Sequence, residues 1–198
     1  IVTLHLMGGL MLLVLLRTQD VRYQHGAAWA SALQGWRGVR AHRVFWWTVV
    51  ALVWLQVALG GWVSTNYAVL ACSDFPMCQG SWWPDMDFRH GFALWRELGE
   101  TRGGDALPFE ALTAIHYVHR LNAYLVLLGV CALALSLYRR ADTRHSAVWL
   151  LALAVWQLLT GLSNVVLDWP LLAAVSHTGG AAALVVVLVG AGLPRQAI

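Results

Sequence analysis

The chain has 198 residues, of which 59% are hydrophobic and only 12% are charged, with a net charge of +3. This balance excludes an ordinary soluble domain and is typical of a polytopic membrane protein. All thirteen basic residues are arginines, and because they are spread over short loops they form no basic patch, so no nucleic-acid partner is expected.

The first apolar segment covers residues 1–16 and contains one histidine, His5. Sixteen helical residues, at about 1.5 Å each, are slightly too few to cross a hydrocarbon core of about 30 Å. We therefore expect the chain to begin inside a helix, as the end of a truncated transmembrane helix. Residues 17–43 carry five arginines and one acid, so the positive-inside rule predicts a cytoplasmic loop.

Four complete spans are predicted within residues 44–198. They cover residues 44–64, 121–138, 147–167 and 171–193. The loop at 65–112 holds seven acids and three arginines, which predicts an outer position, whereas the arginine-rich loop at 138–145 is predicted to be cytoplasmic. Residues 168–170 form a tight outer turn, because proline breaks a helix. The fold class is therefore all-α, a transmembrane bundle of one truncated and four complete helices.

The segment that enters the span at 121–138 carries His116, His119 and Arg120. Their spacing of three and four residues gives them neighbouring directions on a helix, and ionisable side chains in an apolar segment mark a candidate site. A neutral imidazole is a natural axial ligand of haem iron, and an adjacent arginine can pair with a haem propionate. The alternative is that these residues only cap the helix at headgroup level.

The topology adds a relation between three histidines, because the helices that carry His5, His119 and His177 all run from outside to inside. His119 lies 20 residues before Arg139 and His177 lies 18 before Arg195, so their depths differ by only a few ångströms at about 1.5 Å per residue. Two facing histidines could clamp one haem in a helical bundle. This pattern favours haem ligation by His119 and His177. The other histidines are interpreted as solvated loop residues: His25, His42, His90 and His145.

Internal similarity favours a duplicated four-helix unit. His5, followed by Gly8 and Gly9, resembles His177, followed by Gly179 and Gly180. Glycines near a histidine let a flat ring or a partner helix approach closely, although a chance match of Gly-rich helices is the alternative. A weaker similarity, of residues 59–64 to residues 159–164, is interpreted as a pair of packing faces.

The predicted outer loop contains Cys72 and Cys78, separated by five residues. In an oxidising compartment this spacing favours a disulfide. The bond could staple the loop or serve as a redox relay, and stapling is favoured because nothing in the sequence lowers a thiol pKa. A zinc site is not expected, since no further Cys or His completes the ligand spacing. Cys131 is interpreted as a small buried apolar residue of a helix.

Taken in order, several of these segments resemble the haem A synthase family. They are Leu59-Gly-Gly-Trp-Val-Ser-Thr-Asn-Tyr67, Cys72-Ser-Asp-Phe-Pro-Met-Cys-Gln-Gly80, His116-Tyr-Val-His-Arg120, Gly161-Leu-Ser-Asn164 and His177. The resemblance covers essentially the whole chain. That family has eight membrane helices in two pseudo-symmetric halves, so the chain resembles helices four to eight, with the C-terminal half complete.

The resemblance implies oxidation of the methyl group of haem O to the formyl group of haem A, for cytochrome oxidase assembly. It implies a b-type haem on His119 and His177, with His5 as a ligand of the substrate haem iron. Arg120 and His116 would line the haem pocket, His116 in a tuning or hydrogen-bonding role. The family's catalytic acid belongs to the N-terminal half, so the catalytic residues stay unknown and this chain alone is expected to be inactive.

The resemblance also implies haem O, membrane lipids and the missing N-terminal half as partners, in a bacterial-type inner membrane. Haem O synthase, oxidase assembly factors and a second copy of the chain are further candidates. Two other functions stay open. A b-type cytochrome that anchors an electron-transfer complex would need only the histidine pair, and a membrane thiol oxidoreductase would use Cys72 and Cys78.

Overall fold

The computed structural model describes residues 2–25, 40–141 and 143–193, and within these ranges β-structure is limited to two isolated bridges, Cys78–Ser81 and Glu100–Ala106. The helices are α1 (Val2–His25), α2 (Arg40–Thr65), a 3-10 helix (Ala68–Leu70), α3 (Phe88–Gly91), α4 (Phe109–Tyr138), α5 (Arg144–Val166) and α6 (Leu171–Gly192). Among the described helices, α1, α2, α4, α5 and α6 are long and apolar enough to cross a membrane. The predicted all-α transmembrane bundle is confirmed, and the chain is an integral membrane protein.

Helix α1 continues to His25, so the expectation that its helix ends at residue 16 is wrong. Hydropathy identifies only the apolar part of a helix. Ion pairs and hydrogen bonds between side chains three or four residues apart can stabilise further helical turns beyond it. Arg17 forms an ion pair with Asp20, and Gln24 donates a hydrogen bond of 2.8 Å to the same carboxylate. The middle of the loop predicted at 17–43, residues 26–39, lies outside the described residues, as do the side chains of His25 and His42.

Helix α4 begins at Phe109, twelve residues before the apolar run that predicted its span and three before the predicted end of the outer loop. Pro108 precedes the first turn, where its fixed φ suits a helix start, and the Thr113 hydroxyl bonds back to the carbonyl of Phe109 at 2.9 Å. His116, His119 and Arg120 therefore lie well inside one continuous helix. These three residues therefore do not cap the first turn of α4.

Most of the long helices pack against the next long helix in the sequence, and α1 also packs against the last one. Helix α5 packs along α6 and α4, α4 packs along α2, and α1 lies against α6 and α2. Small residues allow close approach: a Cβ on Gly129 of α4 would lie only 3.3 Å from the Val49 side chain of α2. In a bilayer, such contacts stabilise the bundle through close packing rather than through removal of surface from water.

The main apolar core fills the half of the bundle next to the loop between α4 and α5. Its buried residues come from four helices and include Val49, Val130, Leu133, Leu150 and Leu188. Cys131, expected to be buried, is half-buried and packs against this core. On α4 and α6 the core residues begin at Val126 and Leu184, so His119 and His177 lie beyond it, toward the other end of the bundle.

Candidate functional site

His119 and His177 occupy equivalent positions in two neighbouring helix pairs. We call each position a glycine seat, because the imidazole lies over a glycine of the facing helix. A Cβ placed on Gly60 of α2 would lie 3.1 Å from Cε1 of His119 on α4, and a Cβ placed on Gly161 of α5 would lie 3.1 Å from Cε1 of His177 on α6. A separation this short is tighter than almost all real Cβ contacts. Each imidazole therefore lies with one ring edge over a glycine, at a place where a larger residue would push it away.

The two glycine seats explain why residues 59–64 resemble residues 159–164, a similarity interpreted from the sequence as a pair of packing faces. Residues 59–64 and 159–164 do pack, and what they pack against includes the two histidines. The alignment, however, was shifted by one residue: Gly60 corresponds to Gly161, whereas a Cβ placed on Gly61 would lie 2.9 Å from the Thr3 side chain of α1. The signal that identifies the correct register is a glutamine four residues before each glycine, Gln56 and Gln157.

A polar chain missed by the sequence analysis surrounds His119. The Nε2 atom of Gln56 lies 3.2 Å from both ring nitrogens of His119. The amide of the buried Asn122 donates to Oε1 of Gln56 at 2.8 Å and lies 3.3 Å from the Leu52 carbonyl. The sequence did contain a signal for these residues, namely side-chain amides inside apolar spans. A polar group in lipid must find a partner within the protein, so such amides indicate a polar contact between helices.

His177 is held by different groups. The Thr160 hydroxyl lies 2.9 Å from Nδ1 of His177, and Nε2 of Gln157 donates to the His177 backbone carbonyl at 2.9 Å. The Trp156 indole donates to the neighbouring Ser176 carbonyl at 3.2 Å. Helix α5 thus fixes both the ring of His177 and the backbone that carries it.

His116 and Arg120 face the outer loop. Nη1 of Arg120 donates to the carbonyls of Asp74 and Met77, both at 2.8 Å, and Nη2 donates to the Cys72 carbonyl at 3.1 Å. Nδ1 of His116 accepts a long hydrogen bond from the Cys72 amide, at 3.4 Å. Both side chains are buried, with exposed fractions of 5% for His116 and 7% for Arg120. Their described contacts hold the loop on α4.

The predicted disulfide between Cys72 and Cys78 is present, and both cysteines are fully buried against Tyr117. The Tyr117 hydroxyl donates to the Trp82 carbonyl. Within the loop, the amides of Gly80 and Gln79 donate to the Asp74 carboxylate at 2.9 and 2.6 Å. These hydrogen bonds, the Gly80 amide foremost, lower the pKa of Asp74. The loop is therefore a compact unit fastened to α4 by α4's own side chains.

The remaining histidines lie apart from this arrangement. His5 is exposed on α1, and Cβ atoms on Gly8 and Gly9 beside it would meet no other atom of the chain within 4 Å. His90, at the end of the short α3, lies 2.5 Å from Asp87, and hydrogen bonds from its side chain and its backbone amide lower the pKa of that carboxyl. His145 accepts from the Trp149 indole at 2.9 Å.

Alanine at Gly60 or Gly161 is expected to weaken the seat of the facing imidazole. The added Cβ would stand 3.1 Å from Cε1, so the ring must move by a few tenths of an ångström. Gly179→Ala is the matched control, because this exposed glycine of α6 has open space around it. We expect weaker haem binding in Gly60→Ala and Gly161→Ala than in Gly179→Ala, measured by haem titration. Equal affinities in all three variants would contradict the role of the glycine seats.

Comparison with known proteins decides the family. The family model for COX15-CtaA, described as cytochrome oxidase assembly protein, matches residues 1–189. The chain belongs to this family. The resemblance drawn from the sequence motifs is thereby confirmed at the level of the family.

Curated relatives of this COX15-CtaA member carry the name heme A synthase. The protein from Shewanella oneidensis is 36% identical over 134 residues, which are 68% of this chain and 41% of the relative. The protein from Chelativorans sp. is 32% identical over 138 residues, 68% of this chain and 35% of the relative. That from Allorhizobium ampelinum is 31% identical over 136 residues, 67% of this chain and 34% of the relative. The matches thus span about a third to two fifths of these relatives, and no solved structure matches the chain.

Proposed function

We propose that His119 and His177 are the residues that would hold one b-type haem, through their imidazole nitrogens. The observation that carries the proposal is the pair of imidazoles, each lying over a glycine of the preceding membrane-spanning helix, α2 for His119 and α5 for His177, and each beyond the apolar core. Cofactor sites in helical bundles are built in this way, from side chains of facing helices. The similar depth of the two residues, inferred from the fixed rise of a helix, supports the same pairing.

The chemistry of the donors fits a haem better than a metal ion bound by protein alone. Two neutral imidazoles suffice as axial ligands of a haem, whose ring supplies the other four nitrogens, whereas a structural zinc site wants four protein ligands. Among the described residues there is no group of three or more His, Cys, Asp or Glu able to hold a metal ion. Glycine rather than a larger residue beside each imidazole leaves the room that the imidazole itself occupies.

The reaction we propose is the oxidation of the haem O methyl group to the formyl group of haem A, in an oxidoreductase that serves cytochrome oxidase assembly. Family membership and the name heme A synthase of the relatives support it. A haem bound in this half would supply electron transfer through its iron, while the chain provides ligands and a dry surrounding. Because the chain matches 41% or less of these relatives, we expect it to bind haem but not to turn over haem O alone.

Three further residues receive roles in this proposal. His5 is the proposed ligand of the substrate haem iron, and its exposed position on α1 is compatible with binding a group outside the described helices. His116 is proposed to act through its hydrogen bond to the Cys72 amide. Arg120 is proposed as a partner of a haem propionate, through donors that its three bonds to loop carbonyls leave over.

The proposed location is a bacterial-type inner membrane with the loop at 65–112 on the outer side. Its excess of acids over arginines, and the arginines of 17–43 and 138–145, support this orientation. A disulfide in the loop also suits an oxidising compartment. Haem O and membrane lipids are the proposed partners, together with an N-terminal half. Haem O synthase, oxidase assembly factors and a second copy of this chain are additional candidates.

A b-type cytochrome anchor is the second candidate function, since it would need only His119 and His177. The names of the relatives favour the synthase over it. Haem extracted from the purified chain separates the two: haem O or haem A in addition to haem b supports binding of substrate on the His5 side, whereas haem b alone after expression with haem O favours the anchor.

A membrane thiol oxidoreductase is the third candidate, and cysteine variants test it. Cys72→Ser and Cys78→Ser are expected to keep the haem spectrum while losing about 2 kcal/mol of stability, the amount that a bond closing so short a loop contributes. Thermal unfolding and the visible spectrum measure the two effects. Cys131→Ser, in α4 away from the loop, is the control. A haem spectrum that survives in both loop variants, as in Cys131→Ser, would argue against the thiol mechanism.

The proposed function is tested first by a reduced-minus-oxidised visible spectrum of the purified chain, followed by extraction and identification of its haem. A six-coordinate b-type spectrum at one haem per chain is the expected result. A folded chain that contains no haem after expression with a haem supply would overturn the proposal.

A further inference from the structure

Thr160 stands out among the polar residues of the bundle because it touches one of the two histidines and not the other. Its Oγ1 atom lies 2.9 Å from Nδ1 of His177. The residue before the corresponding glycine, Gly60, is Leu59, which has no hydroxyl. His119 has the amide nitrogen of Gln56 at 3.2 Å from both ring nitrogens instead. The two imidazoles therefore share a glycine seat but differ in the group that bonds their nitrogens.

The direction of the hydrogen bond between Thr160 and His177 follows from counting hydrogens. The hydroxyl has one hydrogen, and Oγ1 lies 2.7 Å from the Trp156 carbonyl, four residues earlier on α5. A carbonyl oxygen can only accept, so the hydroxyl hydrogen is used there. The 2.9 Å contact must then be a hydrogen bond from Nδ1–H of His177 to Oγ1 of Thr160. Water does not compete strongly for this bond, since Thr160 is only 8% exposed.

We propose that Thr160 is a positioning residue that fixes His177 as its Nδ1–H tautomer and leaves Nε2 unprotonated as the donor atom for iron. This inference rests on the proposed ligation of a haem by His177. A neutral imidazole carries one proton, so a proton held on Nδ1 keeps the Nε2 lone pair available. Gln157, which bonds the His177 carbonyl at 2.9 Å, restrains the backbone while Thr160 restrains the ring.

The same bond also tunes the ligand. An acceptor on the outer nitrogen makes a metal-bound imidazole more electron-rich, which favours ferric over ferrous iron. Because Leu59 offers no such acceptor to His119, the effect enters from the His177 side. This asymmetry makes the prediction specific. Removal of the Thr160 hydroxyl should change the affinity and the midpoint potential of the haem, although the glycine seats and both imidazoles remain.

The experiment compares Thr160→Val, Thr160→Ser and Thr178→Val with the wild-type chain in detergent. Valine keeps the shape of threonine and removes the hydroxyl, and serine restores it. Thr178→Val is the matched control, because that hydroxyl lies beside His177 in sequence but, within the described part of the chain, donates to the Ala174 carbonyl of its own helix, at 3.2 Å. In Thr160→Val we expect the haem dissociation constant to rise roughly 10–100-fold and the midpoint potential to become more positive. Thr160→Ser and Thr178→Val should stay near wild type.

The tautomer is read directly from ¹⁵N NMR of the histidine rings in the haem-free chain. Wild type should carry the His177 proton on Nδ1, and Thr160→Val should lose that preference. An Nε2–H tautomer in wild type, or affinity and potential in Thr160→Val equal to those of Thr178→Val, would overturn the role of Thr160 while leaving haem binding intact. A wild-type chain that binds no haem would overturn the proposed function, and the NMR result would still decide whether Thr160 sets the tautomer.

Discussion

Alanine in place of His119 or of His177 should abolish the six-coordinate b-type spectrum of the chain. Each axial position needs its own nitrogen, and loss of one leaves the iron five-coordinate and weakly held. Among the described neighbours, His116 accepts from the Cys72 amide, and the carboxylate of Asp74 is bonded to loop amides. Spectra and haem content per chain measure the effect, and a near-complete loss is expected in both variants.

Two other histidines serve as matched controls for this experiment. His90→Ala removes an imidazole that pairs with Asp87 in the outer loop, and His145→Ala removes one that accepts from the Trp149 indole. Both variants should retain one haem per chain. If His119→Ala or His177→Ala retained as much haem as these controls, the assignment of that residue as a ligand would be wrong.

His116→Ala decides between the two histidines of α4. His116 and His119 are three residues apart and point in neighbouring directions, so sequence spacing alone cannot choose between them. In the structure only His119 lies over a glycine of α2, whereas His116 lies under the loop. A retained six-coordinate spectrum in His116→Ala supports His119 as the ligand, and its loss there with retention in His119→Ala would exchange the two roles.

The elements that the sequence predicted well are those controlled by a regular repeat. A helix rises by a fixed amount per residue, so a common depth of His119 and His177 follows from the sequence as a prediction. Long apolar runs likewise predicted the spans, because the bilayer sets their length. The end of α1 was missed because Asp20 and its partners extend the helix beyond the apolar run.

The elements that the sequence did not predict depend on the meeting of two particular side chains. The match of residues 59–64 to 159–164 was shifted by one, because the glutamine four residues before each glycine was not used, and the contact of Gly60 with His119 reveals the register. The orientation of Arg120 depended on the folding of a loop that has no periodic pattern. Thr160 and Gln56 carry no charge in the sequence, and their importance appears only when the facing helix is in place.

Alanine in place of Arg120 is expected to release the outer loop from α4. The guanidinium donates to three loop carbonyls from a buried position. A hydrogen bond from a charged donor contributes roughly 1.5–3 kcal/mol. Because freed carbonyls at the membrane surface regain water, we expect a total loss of about 2–4 kcal/mol rather than the sum of three bonds. The rate at which a phosphine reductant opens the Cys72–Cys78 disulfide should rise accordingly.

Arg139→Ala controls for the loss of a positive charge on the same helix. Arg139 is exposed at the C-terminal end of α4, at the opposite end from the loop. Its removal should leave the rate of disulfide reduction unchanged. A rate in Arg120→Ala no faster than in Arg139→Ala would contradict the anchoring role of Arg120.

The same variant also separates loop anchoring from the proposed contact with a haem propionate. Asp74→Ala loosens the loop while the Arg120 side chain stays in place, because this carboxylate binds the amides of Gln79 and Gly80. If Arg120 acts on haem only by holding the loop, both variants should follow one relation, in which haem affinity falls as the rate of disulfide reduction rises. A direct propionate contact predicts a larger loss of affinity in Arg120→Ala than in an Asp74→Ala variant of equal reduction rate. Haem titration of the two variants, each assayed for disulfide reduction, therefore measures how much of the arginine's effect reaches the haem directly.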